Sequence, residues 1–217
     1  MKDIAIFGAG GFGREIACLI RRINEASDQP QWNFIGFYDD NPALAGKMIS
    51  HLGECLGDSA ELNKVASPLS VAIAIGSPRV VKLISEKITN PNISFPNLFA
   101  PTVRFNDPES FHIGKGNIVQ DNCTFSCDVT VGDFNMLNGS IVLGHDVQLG
   151  SYNAFMPNIR ISGETTIGNL NFFGVGSIVL QQLRIGNNVH LGPGSVLMTK
   201  PKDGCLYMGN PAKKTVF

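Results

Sequence analysis

From residue 113 to residue 197 every sixth residue is large and apolar: Ile113, Val119, Phe125, Val131, Leu137, Leu143, Leu149, Phe155, Ile161, Ile167, Phe173, Val179, Ile185, Leu191 and Leu197. With 43% hydrophobic residues in the chain, chance gives such a run in fixed phase with a frequency on the order of 10⁻⁶, so the period is an internal repeat. A helix requires a period of about 3.6 and a half-exposed strand one of about 2. Six suits short strands joined by tight corners, with one apolar residue pointing inward per side. A longer period lies over it. Ile113-Gly114, Val131-Gly132, Leu149-Gly150, Ile167-Gly168 and Ile185-Gly186 recur every 18 residues, and Asn117, Asn135, Asn153 and Asn171 recur with them. Three six-residue sides therefore close one coil, and residues 18 apart stack. The pattern predicts a three-sided parallel β-helix of about five coils spaced by about 4.8 Å, with the asparagines as a ladder of stacked amides and the glycines loosening the corners.

Upstream the period changes. Ile4–Phe7 reads as a short buried strand and is followed by Gly8-Ala9-Gly10-Gly11-Phe12-Gly13, which fits G-x-G-x-x-G. Ile16, Leu19, Ile20 and Ile23 then recur at helical spacing from Arg14 onward. Strand, glycine loop and helix form the context in which backbone amides and a helix N-terminus meet a phosphate. Phe34–Tyr38 reads as a second strand ending in Asp39 and Asp40, where an acid can accept hydrogen bonds from a ribose or base edge. Leu69–Ile75 reads as a third strand, and Gly76-Ser77-Pro78 opens a helix with Ser77 as N-cap and Pro78 at the first position. Val81, Ile84 and Ile88 are its expected buried face. Pro91, Pro96 and Pro101, with Pro108 just beyond, mark a link. The expected organisation is a small Rossmann-like α/β domain over residues 1–95 and an all-β β-helix domain over residues 96–217. The candidate nucleotide-binding set is Gly8, Gly10, Gly11, Phe12, Gly13, Arg14, Asp39, Asp40 and Gly76. A dinucleotide-dependent oxidoreductase fits less well, because the α/β unit is half the usual size and no domain for hydride transfer follows.

The net charge of -1 and the pI of about 6.4 offer no basic run for nucleic acid or a membrane surface. No apolar run approaches the roughly 20 residues of a membrane helix, and the N-terminal strand and glycine loop do not read as a signal peptide. Five cysteines without framework spacing suit reduced thiols in the cytoplasm. Cys123 and Cys127, the only close pair, lack the further ligands of a zinc site.

Four histidines remain as candidates for chemistry. His51 lies in the α/β part and His112 before the first coil; His190 precedes an inward residue and should point outward. His145 stands at a corner, in Leu143-Gly144-His145-Asp146, and eighteen residues on is Gly163. A corner histidine beside a carboxylate can act as a general base, and a glycine amide one coil away can donate to an oxyanion. A γ carbonic anhydrase-like metal site needs three converging histidines, and His145 and His190 are not separated by a stacking interval. A non-enzymatic structural or nucleotide-sensing module is a further alternative.

The order Gly-Ala-Gly-Gly-Phe-Gly-Arg-Glu, Tyr-Asp-Asp, hexapeptide coils with Gly-His-Asp, and a closing Gly-Asn-Pro-Ala resembles the hexapeptide-repeat sugar acetyltransferases. Within them it is similar to the group of sialic acid O-acetyltransferases and N-acetyltransferases of nucleotide-linked 4-amino-4,6-dideoxy sugars, and the resemblance covers essentially the whole chain. It implies a left-handed β-helix that forms a cytoplasmic homotrimer with acetyl-CoA between adjacent β-helices, no metal, and a sugar nucleotide held by the N-terminal domain. His145 would be the base in direct attack on the thioester, Asp146 its support, and Gly163 the amide facing the acetyl oxygen. Gly174-Val175-Gly176 and Pro193 would line the pantetheine, and Asn210, Pro211 and Lys213 the adenine and 3′-phosphate. Some relatives carry a second histidine nine residues after the base, close to the thioester; that position here is Ala154. The product is expected to be an N-acetylated nucleotide sugar for polysaccharide biosynthesis, with O-acetylation of sialic acid or another glycan sugar as the alternative.

Overall fold

In a computed structural model, described here for residues 1–215, the chain divides into two compact units, Met1–Pro101 and a second from Thr102 onward.

The first unit is a six-stranded sheet with helices. β1 (Lys2–Phe7) leads into α1 (Gly11–Glu25) and β2 (Trp32–Tyr38). β3 (Met48–Ile49) and β4 (Gly53–Gly57) follow, then α2 (Ser59–Leu62), β5 (Leu69–Ile73), α3 (Pro78–Lys87) and β6 (Ile93–Ser94). The order is β3-β4-β2-β1-β5-β6. Every neighbouring pair is parallel except β3 with β4. The apolar run Ile4–Phe7 forms β1 because strands on both sides and helices over the sheet bury it to 2% exposure or less. α1 turns Ile16, Leu19, Ile20 and Ile23 inward, and α3 turns Val81 and Ile84. Three strands beyond the three expected are present. β3 and β6 have two residues each, and β4 is bracketed by glycines, so none carries a readable period. Ile93–Ser94 lies inside the segment read as a link and pairs with Leu69–Ser70.

The second unit is a parallel β-helix with three walls. The first wall stacks Ile118–Val119, Met136–Leu137, Ala154–Phe155, Phe172–Phe173 and His190–Leu191. The second stacks Arg104–Phe105, Thr124–Phe125, Val142–Leu143, Arg160–Ile161, Ile178–Val179 and Val196–Leu197. The third stacks His112–Ile113, Thr130–Val131, Gln148–Leu149, Thr166–Ile167 and Arg184–Ile185. Partners are 18 residues apart, as in Val142 with Arg160 and Leu143 with Ile161, except at the start of the second wall, where Arg104 pairs with Thr124, 20 residues on. The second residue of each pair points inward. From Val119 to Leu197 these positions are 0–3% exposed, so one coil is one core layer.

The corners depart from expectation. The left-handed residue at each is mostly not glycine: Asp128, Phe134, Ser140, Asp146, Tyr152, Asn158, Glu164 and Leu170 all have φ between 52° and 65°. The bulky ones are held by regular amide bonds to the coil before, such as Tyr152 N–H to the Asp133 carbonyl at 2.8 Å. The Phe134 and Tyr152 rings also stack at 5.5 Å. The glycines that end the third wall are required by space instead. A Cβ on Gly150 would come within 2.6 Å of the Gly168 carbonyl oxygen, and one on Gly168 equally close to that of Gly186.

The asparagine ladder is buried, with each rung 1% exposed or less. Asn153 donates its backbone amide and Nδ2 to Asn135 Oδ1 at 2.9 and 3.0 Å, and Nδ2 also to the Gly168 carbonyl at 2.9 Å. Asn171 repeats the pattern on Asn153 Oδ1.

Candidate active site

The corner between the second and third walls carries Gly144-His145-Asp146-Val147. Its conformation is pinned by the Asp146 amide donating to the Cys127 carbonyl at 3.0 Å and the Glu164 amide donating to the His145 carbonyl at 2.8 Å. Asp146 takes the left-handed conformation, φ 58°, which aspartate tolerates better than most residues. The turn aims its Oδ2 at His145 Nδ1, 2.8 Å away. An ionised carboxylate only accepts, so Nδ1 holds the proton and Nε2 presents its lone pair. Both side chains are 56% exposed, so substrate can reach the ring.

The structure brings Gly163 directly against this ring. A Cβ on Gly163 would stand 2.5 Å from His145 Nε2 and 2.6 Å from Cε1. Gly163 is buried, and its amide donates to no acceptor among the described residues. A free N–H and a free imidazole nitrogen thus share one corner.

A second group forms at the corner between the first and second walls. Gly174 and Pro193 stack so closely that a Cβ on Gly174 would meet the Pro193 nitrogen at 2.5 Å. Val175 beside them is 48% exposed. The C-terminal segment folds onto this corner. Gly209 N–H donates to Ser195 Oγ at 3.0 Å, Val196 N–H to the Gly209 carbonyl at 3.0 Å, and Ala212 N–H to the Val196 carbonyl at 2.8 Å. Asn210 and Pro211 therefore sit at the same corner as Pro193, and Lys213 starts a strand antiparallel to Leu206–Met208. Within one chain this corner and the His145 corner are separated by the whole second wall. Ala154 lies on the first wall, opposite the His145 corner.

Sequence reading overlooked the outward face of the second wall. Ile178, Leu180 and Met198 are 36%, 39% and 42% exposed; Ile178 is an outward place of the wall, and Leu180 and Met198 follow its inward residues in the column of Gly144 and Ser162, on the His145 side. The signal was partial: the outward column runs Arg104, Thr124, Val142, Arg160, Ile178 and Val196, and only its last two places are consecutively apolar.

In the first unit the loop glycines divide into two kinds. Gly8 is left-handed, φ 111°, and a Cβ on Gly13 would stand 1.9 Å from the Gly8 carbonyl oxygen, so both serve the fold. Gly10 and Gly76 have nothing within 4 Å of a would-be Cβ, and Gly11 has only the tip of Arg14 at 3.9 Å. None of the three has positive φ, so neither packing nor conformation calls for glycine there. Phe12 is half-buried and Arg14 exposed. α1 and α3 lack a side-chain cap, because Gly10 has none and the Ser77 hydroxyl does not cap, and neither has an acid in its first turn. By contrast Asp58 caps α2 through the Ala60 and Glu61 amides. The strand order reverses between β1 and β5, so the two uncapped N-termini follow adjacent strand ends at the switch point, where α/β sheets bind ligands.

The two acids are engaged inside the unit. Asp39 Oδ2 accepts the Ala9 amide at 2.8 Å and Oδ1 the Asn41 amide at 2.9 Å. Asp40 accepts the Ser59 amide at 2.9 Å and Lys87 Nζ at 2.8 Å. Partial burial raises the Asp40 pKa, but the Lys87 and Ser59 bonds outweigh it and leave the group below the ordinary carboxylate value.

Residues 3–88 match the PglD N-terminal domain family. A sequence search of curated proteins found no match. Among solved structures, the acetyltransferase domain of PglB from Neisseria gonorrhoeae FA1090 is 26% identical, with a TM-score of 0.86 over 99% of this chain and 100% of that one. The same domain in complex with acetyl coenzyme A is 27% identical, with a TM-score of 0.84 over 99% of each chain. PerB from Caulobacter crescentus, in complex with CoA and GDP-perosamine, is 25% identical, with a TM-score of 0.85 over 100% of this chain and 98% of that one. The chain is thus an acyltransferase with the fold of these sugar acetyltransferases, and its residues 3–88 match the PglD N-terminal domain family.

Proposed function

We propose that the chain transfers the acetyl group of acetyl-CoA to the amino group of a nucleotide-linked 4-amino-4,6-dideoxy sugar. The observation that carries the reading is the seating of His145 Nε2 against Gly163, with Nδ1 held by Asp146. The neutral amine attacks the thioester carbonyl directly. As the C–N bond forms, Nε2 takes a proton from the nitrogen, and Asp146 stabilises the resulting imidazolium. The Gly163 amide donates to the oxyanion of the tetrahedral intermediate. Collapse breaks the C–S bond, and the departing thiolate takes the proton back from His145, leaving amide and free CoA.

The sugar nucleotide is assigned to the first unit. A diphosphate suits the uncapped ends of α1 and α3, with Gly10, Gly11 and Gly76 leaving room for its oxygens. Acetyl-CoA is assigned to Gly174, Val175, Pro193 and the segment Asn210–Lys213. PglB is bound to acetyl-CoA and PerB to CoA and GDP-perosamine, which supports both assignments. Base and pantetheine corners are a wall apart in one chain, so the site is completed by a neighbouring copy in a homotrimer.

The test is thiol release from acetyl-CoA with a panel of UDP-, dTDP- and GDP-linked amino sugars, and product masses that separate N- from O-acetylation. His145→Ala is expected to lower kcat by about 10²–10⁴. Wild-type protein that turns over none of the amino sugars sinks the reading, and a monomer at micromolar concentration in sedimentation sinks the shared site.

A further inference from the structure

Above Ala154, the outward places of the first wall are Phe172, His190 and Leu206. Phe172 is half-buried and His190 exposed, and their rings lie 4.4 Å apart at 37°. The column bears no charged side chain. Its one hydrogen-bonding group is the His190 imidazole, which bonds to no described residue. Partial burial lowers the His190 pKa below the ordinary histidine value, so the ring is neutral near pH 7. His190 also stands two residues before Gly192-Pro193, at the mouth of the corner onto which the C-terminal segment folds.

An apolar strip with a single neutral donor and acceptor does not suit a phosphate, which calls for cations or clustered amides. It suits a long uncharged arm carrying amide groups. The pantetheine arm of CoA has that chemistry, and the corner that ends this wall already holds the residues assigned to it. We propose that Phe172 and His190 form a shelf that positions the pantetheine arm, Phe172 by apolar contact and His190 by one hydrogen bond to an arm amide. His190 then acts as a positioning residue in place of nothing at Ala154, two coils further along the arm. The inference rests on the acetyl-CoA reading above.

The experiment compares wild type, His190→Ala, His190→Asn and Phe172→Ala as full-length proteins. It measures CoA binding by calorimetry, KM for acetyl-CoA and for the sugar nucleotide, and sedimentation. His190→Ala is expected to weaken CoA binding and raise the acetyl-CoA KM about tenfold, the weight of one good hydrogen bond. The saturated kcat, the sugar KM and the sedimentation should stay within about twofold, and His190→Asn should recover most of the loss because a neutral amide keeps the bond. Unchanged CoA affinity in both alanine variants overturns the shelf alone. So does a loss that falls on the sugar nucleotide, or one that accompanies dissociation of the assembly, which would make the pair a subunit contact. Wild-type protein that binds no CoA overturns the acetyl-transfer reading as well.

Discussion

Replacing Gly163 by alanine adds one methyl group where the proposed chemistry is most exposed to it. That carbon would stand 2.5, 2.6 and 2.9 Å from Nε2, Cε1 and Cδ2 of His145. Carbon–carbon contact is comfortable at about 3.5 Å, so the ring must retreat by about 1 Å. Gly163 has no positive φ, so the backbone accepts alanine without strain and keeps its N–H. The half-exposed imidazole can move into solvent, which leaves the core layers untouched. A misplacement of about 1 Å at a reacting group costs on the order of 10² in rate, and kcat in the thiol-release assay should fall by that amount. The thermal midpoint should stay within about 2 °C of wild type, since the group displaced is the half-exposed ring and no inward core residue changes. Gly144→Ala is the contrasting variant. Its Cβ would meet the Gly163 backbone nitrogen at 2.7 Å, so it should destabilise the coil itself. A Gly163→Ala enzyme with wild-type kcat would refute the placement of the base against this glycine.

Three further outcomes follow from other parts of the molecule. Asn153→Ala leaves the Gly168 carbonyl and the Asn171 amide without partners and removes one of two donors to Asn135 Oδ1; at about 1–3 kcal/mol per orphaned buried group, urea unfolding should show a loss of about 3 kcal/mol or more, and a loss under about 1 kcal/mol would mean the ladder is decorative. Because the Asp40 pKa is lowered in the folded chain, its contribution is present above the unfolded value of 3.8 and fades as pH falls through the folded one; the stability gap between wild type and Asp40→Asn should be flat above about pH 5 and close below about pH 4, and a gap that widens in acid contradicts the Lys87 pairing. Burial pushes the Cys123 thiol up to about 11, whereas Cys127 is exposed; a maleimide at pH 7 should label Cys127 in the native protein and Cys123 only after unfolding, so Cys127→Ser should remove the fast phase.

The β-helix was legible because its constraint repeats. Every coil must place one apolar residue per wall inside, so the period of six shows in the sequence and the 18-residue register follows from three walls. That register alone put Gly163 against His145. The corners were read less well. In the sequence their glycines read as sources of backbone freedom, yet Phe134, Tyr152 and Leu170 occupy the left-handed positions and Gly150 and Gly168 are glycine to let coils stack. Sequence shows that a small residue is present, but only the distance to the next coil tells whether conformation or space requires it. The short strands β3, β4 and β6 escaped because two to five residues carry no measurable period, and their pairing is decided by the long strands beside them.

The two kinds of glycine in the first unit carry the same lesson into function. The motif over residues 8–13 treats its glycines alike, but the structure needs Gly8 and Gly13 for itself and has no use for the smallness of Gly10, Gly11 or Gly76. A side chain omitted where the fold would admit one marks space kept for something else. Those three positions gather at two helix ends that lack caps, while α2, away from the switch point, has one. At α1 the missing cap is the missing Gly10 side chain itself, but at α3 the open Gly76 and the Ser77 hydroxyl that does not cap are separate features. A structural turn explains neither, whereas a bound diphosphate explains both, since it needs open approach and unpaired amides together. Adding a cap should therefore compete with substrate: Gly10→Asp supplies a carboxylate to the α1 amides, and it is expected to raise stability by about 0.5–1 kcal/mol. The same change should raise the KM for the sugar nucleotide at least tenfold, by filling and charging the place the phosphate would take, and leave the KM for acetyl-CoA unchanged. If Gly10→Asp stabilises the fold and leaves both KM values as they were, the uncapped ends are only unoptimised, and the diphosphate must be sought elsewhere.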